Sequence, residues 1–142
     1  MHRSMGRLGV LALVVGSMLV ACGGPLRFAT HGTPKAPDAE AEIVADVNSS
    51  TAITRLQLTA THLAPPERLA DLGTTFVVWA RKTDGKEWQR VGALQYNAEK
   101  RKGELAEASV PHTEFDLAVT VETQPAPPGP SPTIVIFQKI AE

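Results

Sequence analysis

The sequence predicts an all-β domain built as an antiparallel sandwich, and three observations lead there. From about residue 41 onward, short runs alternate apolar and polar residues with a period of two. Turn residues punctuate the chain between those runs, with 11 glycines and 11 prolines in 142 residues. Long helical patterns are absent from the same region.

The elements follow in order. Ala41, Ile43, Ala45 and Val47 alternate with Glu42 and Asp46, and Asn48-Ser49-Ser50 turns the chain. Leu56, Leu58 and Ala60 mark a second strand, ended by Pro65-Pro66, which cannot donate to a ladder. Glu67 to Leu72 is read as one helical turn capped by Gly73. Thr74–Arg81 is apolar on both faces, as in a strand covered on both sides. Asp84-Gly85 signals a hairpin turn into a strand over about 87–96, with a bulge near Arg90, Val91 and Gly92. Residues 104–110 form a polar edge strand. Phe115, Leu117, Val119 and Val121 alternate cleanly, five prolines then fill 124–132, and residues 133–140 close the domain as a buried strand. Phe76, Val78, Trp79, Leu117, Val119, Val121, Val135 and Phe137 are the expected core. Seven strands in about 100 residues with regular turn spacing predict an immunoglobulin-like sandwich over residues 41–142.

The N-terminal part reads differently. His2, Arg3 and Arg7 precede a 13-residue uncharged run, Leu8–Val20. A membrane-spanning helix needs about 20 apolar residues, so the run fits a signal peptide. It ends in Leu19-Val20-Ala21-Cys22-Gly23, and Cys22 is the chain's one cysteine. An exported domain stapled by disulfides would carry an even number. The segment resembles the lipobox of bacterial lipoproteins. That resemblance implies a signal peptide over 1–21, diacylglycerol and palmitate on Cys22, and, because Gly23 follows, placement at an outer membrane facing the periplasm or the cell surface. Residues 22–40, with Pro25, Pro34 and Pro37, read as an extended tether. At about 3.1 Å per residue it would hold the domain 30–50 Å from the bilayer.

A second resemblance covers residues 62–140. The phrases His62-Leu63-Ala64-Pro65-Pro66, Thr75–Trp79, Val91–Leu94, Leu117–Glu122 and Pro130-Ser131-Pro132 occur in that order. Together they resemble the extracytoplasmic C-terminal domain of anti-sigma-K-type factors. The loop after Glu122 departs from the family, beginning Thr123-Gln124-Pro125-Ala126 where paired glycines are usual. The family's cytoplasmic zinc-containing domain and transmembrane helix are replaced by the leader and tether. The resemblance therefore implies fold and compartment, and no sigma-factor binding.

Charge and composition exclude some chemistry. Two of the 14 basic residues, Arg3 and Arg7, lie in the leader, which leaves 12 against 15 acidic residues and no footprint for nucleic acid. His62 and His112 lack metal-ligand spacing and no nucleophile elbow occurs, so neither a metal nor a cofactor is expected. Glu114, Asp116 and Glu122 share one strand face and read as its wet side. Lys100-Arg101-Lys102 reads as a solvated turn, with contact to anionic lipid as the alternative. The expectation is a non-catalytic, lipid-anchored binding or sensing module of the cell envelope. Its partners are the membrane, through Cys22, and another envelope protein or cell-wall component. Contact is expected through Trp88, Arg90 and Pro127 of the proline-rich loop, because aromatic–arginine patches and loops on rigid scaffolds favour interfaces. The alternatives are a structural envelope lipoprotein or an enzyme with an unrecognised site.

Overall fold

The computed structural model describes residues 24–142; the leader and Cys22 lie outside the described residues. Among those described, nine strands form two antiparallel sheets. The first has the order β1 (Leu26–His31), β2 (Glu40–Asn48), β3 (Ile53–Thr61), β7 (Lys102–Val110), β6 (Gln95–Asn97). The second has the order β5 (Gln89–Ala93), β4 (Thr75–Lys82), β8 (Phe115–Glu122), β9 (Ile134–Ile140). The sheets enclose one core, in which Ile43, Leu56 and Leu58 of the first meet Phe76, Val78, Leu117, Val119 and Val135 of the second. The strand pairing puts Leu26, the turn after β2, the β4–β5 loop and the start of β8 at one end. The β3–β4 connection and the β8–β9 loop lie at the other.

Period two explains the inner faces. Ala41, Ile43 and Ala45 of β2 and Thr54, Leu56, Leu58 and Ala60 of β3 are buried, while their neighbours face water. The turn between them is closed by Asn48, whose Oδ1 accepts from the amides of Ser50 at 3.1 Å and Thr51 at 3.2 Å. Tyr96 packs edge-on against Phe76, with 5.2 Å between ring centroids, and its hydroxyl donates to the Leu63 carbonyl at 2.6 Å.

Several expectations are corrected. The sandwich starts at Leu26, well before residue 41: six residues of the expected tether form β1, whose Leu26 and Phe28 pack against the core. The expected seven strands become nine, partly because the single strand predicted over 87–96 divides. Its first half pairs with β4 and its second half crosses to β7. Leu94 is the crossover, buried, with its amide donating to the Phe76 carbonyl at 2.9 Å. The expected bulge does occur, with Val91 as the extra residue between Arg90 and Gly92. Strand β7 is an edge only in part, since β6 covers residues 102–104. Phe137 is not core. The register shift that pairs Val119 with Ile136 and Thr120 with Ile134 turns both Val135 and Ile136 inward and leaves Phe137 42% exposed. Helix α1 is one turn, Pro66–Leu69. Gly73 does not supply a left-handed cap, because Leu72 carries the positive φ of 57°. Glycine is needed at 73 for close packing, since a Cβ there would sit 2.5 Å from the Pro66 carbonyl oxygen.

Candidate functional site

The alternation that buries Phe76, Val78 and Ala80 points Val77, Trp79 and Arg81 out of the opposite face of β4. Across the ladder, Ala118, Thr120 and Glu122 of β8 share that outer face. It is nevertheless dry at its centre, with Val77, Trp79, Ala118 and Thr120 at most 1% exposed. The β8–β9 loop, residues 123–133, folds back over it. Arg90, opposite Trp79 in the ladder, donates from Nε to the Pro125 carbonyl at 2.7 Å. Ser131 donates from its amide to Glu122 Oε2 at 2.9 Å and from its hydroxyl to the Val121 carbonyl at 2.7 Å.

Beneath the loop runs a polar chain. The Trp79 indole donates to Thr120 Oγ1 at 2.8 Å, and the Thr120 hydroxyl donates onward to Glu122 Oε2. One carboxylate oxygen thus receives a side-chain hydroxyl and a loop amide, which fixes the loop to the strand. Buried polar groups need such partners, and here each satisfies the next. Lower on the same face, Arg81 donates from Nη2 at 2.9 Å and from Nε at 3.2 Å to Asp116 Oδ2. Its guanidinium carbon lies 4.3 Å from the Trp88 ring centroid.

The structure therefore gathers the predicted contact residues on one face. Trp88 is half-buried under Arg81, Arg90 is exposed but tied to the loop, and Pro127 lies half-buried within that loop. The sequence reading missed Arg81 and Thr120, and it took Asp116 and Glu122 for part of a wet face. The carboxylates of β8 are not a shared wet face: Asp116 is ion-paired, Glu122 is buried, and Glu114 stays exposed. Six residues of strand separate Asp116 from Glu122, about 20 Å, too far for the paired carboxylates of glycoside hydrolysis. His62 and His112 sit at opposite ends of the sandwich and share no site. Beside the loop, Leu72 is 83% exposed in its strained left-handed conformation, at the rim of a shallow cleft formed by Ala70, Gly73, Val121, Glu122 and Ser131. The Lys100-Arg101-Lys102 cluster occupies the β6–β7 turn at this same end, with Lys102 bridging Glu104 at 3.0 Å.

The outer face of the five-stranded sheet is a mixed, solvated surface. One open depression on it is lined by Ala29, His31, Glu40, Glu42, Thr59 and Lys102, and a second by Val44, Asp46, Arg55, Gln57 and Glu107. His31 and Glu40 approach only to 4.0 Å in the first and are both well exposed, so among the described residues this surface converges no buried polar groups of the kind ligand sites use.

No protein-family model matches the chain, and no curated protein or solved structure shows significant similarity to it.

Proposed function

We propose that this chain is a lipid-anchored contact module of the bacterial envelope, in which an immunoglobulin-like sandwich binds another envelope component. One observation carries the binding reading: the outer face of β4 and β8 is roofed by a proline-rich loop locked at Glu122 and Arg90. A loop held in one conformation loses little entropy on docking, so it is well suited to recognition. Trp88 and Arg90 beside it are the residue types that anchor protein interfaces.

Support for the immunoglobulin-like topology comes from strand order. β2-β3-β7-β6 facing β5-β4-β8-β9 corresponds to A-B-E-D facing C′-C-F-G, with β1 added at one edge. The resemblance to the extracytoplasmic domain of anti-sigma-K-type factors agrees with a β domain outside the cytoplasm. The matched phrases fall on the β3–α1 connection, β4, β5, β8 and the β8–β9 loop. The anchor rests on Leu19-Val20-Ala21-Cys22 behind a short apolar run.

Photo-crosslinking from positions 88 and 127 in living cells tests the binding face. Adducts from these positions are expected; adducts only from other surfaces would place the contact elsewhere. Metabolic labelling with a fatty-acid analogue tests the anchor: label on wild type and none on Cys22→Ala is expected, and equal label on both removes lipidation from the reading.

A further inference from the structure

We infer that the sandwich is seated directly on the bilayer by its Leu26 end, with the roofed loop and Leu72 presented at the far end. The inference rests on lipidation of Cys22 as proposed above. What carries it is the place where the fold begins. Because Leu26–His31 is a strand and not a tether, only Gly23, Gly24 and Pro25 separate Cys22 from the folded domain. Four residue steps span at most about 14 Å when fully extended.

The register decides which end is held. Leu26 pairs with Ala45, near the lower end of β2. The Asn48–Ile53 turn and the Lys82–Glu87 segment therefore lie at the membrane side. Nine-residue strands such as β2 and β3 make the sandwich about 30 Å tall. The Asn97–Lys102 turn, Leu72 and the β8–β9 loop stand that much further out.

Charge does not create this seating. At the lower end Arg27, Arg55, Lys82, Lys86 and Lys139 are offset by Asp46, Asp84, Glu87, Glu107, Glu114 and Glu142, so among the described residues no polybasic patch faces the lipid. The Lys100-Arg101-Lys102 cluster is at the wrong end to touch the protein's own membrane. Lying on its β1 edge is also disfavoured, because that edge carries unpaired backbone groups that water satisfies and hydrocarbon does not. Seating is a matter of link length, and it should be indifferent to salt and to anionic lipid.

The test uses the full-length lipidated protein in zwitterionic vesicles. Thioether formation consumes the Cys22 thiol, so Ser50→Cys or Ala98→Cys supplies one free thiol for a fluorophore, at exposed turns of opposite ends. Nitroxide-headgroup lipid should quench the label at 50 severalfold more than the label at 98. The difference should persist at high salt and collapse when a long Gly/Ser segment is inserted after Gly24. Equal or reversed quenching in protein that carries acyl mass on Cys22 overturns the seating alone. Protein that lacks acyl mass and does not bind the vesicles overturns the lipid anchor, and the seating with it.

Discussion

Replacing Glu122 with alanine removes the acceptor shared by the Thr120 hydroxyl and the Ser131 amide. Hydrogen bonds to a charged acceptor contribute about 1.5–3 kcal/mol each. Ser131 is half-buried and would recover part of its loss from water, whereas Thr120 is fully buried and would not. Relief from burying a carboxylate offsets some of the remainder. The expected loss is therefore about 2–4 kcal/mol, and Glu122→Gln, which keeps a neutral acceptor, should lose roughly half of that. Urea unfolding gives the stability, and amide hydrogen exchange at Ser131 and Thr133 reports whether the loop lifts. Faster exchange at these two amides, with β3 and β4 still protected, is the expected local signature. A loss below about 0.5 kcal/mol, the range of ordinary surface changes, with unaltered exchange at Ser131, would refute the idea that this carboxylate holds the roof.

Three further outcomes follow from the structure. Phe76→Ala should cost about 3–5 kcal/mol as a buried aromatic truncation, while Phe137→Ala, at 42% exposure, should cost well under half as much by the same unfolding assay. A chain beginning at Ala39 instead of Gly24 should be less stable by about 2–3 kcal/mol, because it loses the half-buried Leu26 and Phe28 of β1; equal unfolding midpoints would mean that β1 adds nothing. Burial raises the Tyr96 hydroxyl above its ordinary value of 10.0. Its contribution is therefore complete below about pH 10 and is lost as pH rises through the folded-state value, so Tyr96→Phe should flatten the alkaline fall in urea midpoint.

Local patterns account for much of the architecture because a strand's two faces are written two residues apart. Phe115, Leu117, Val119 and Val121 announce both the strand and its buried side, and Asn48 with the residues after it announces the turn it closes. The all-β class followed from such runs. β1 was legible in the same way, since Leu26, Phe28 and Thr30 alternate with Arg27, Ala29 and His31, but its flanking glycines and prolines read as a linker. Residue type and position after the Asp84-Gly85 turn drew attention to Trp88 and Arg90, and the structure places both beside β4 on its outer face.

Only the tertiary structure decided the rest, because it depends on residues far apart in the chain or on single-residue shifts of register. One extra residue in β9 sends Phe137 outward and Ile136 inward. Leu94 moves the chain from one sheet to the other because its amide finds Phe76 and its side chain a buried site. Thr120 and Glu122 have the alternation of a wet face, and they are dry because a loop anchored 35 residues away from Arg90 returns over them. Periodicity records which side of a strand a residue takes; what covers that side is settled by long-range packing.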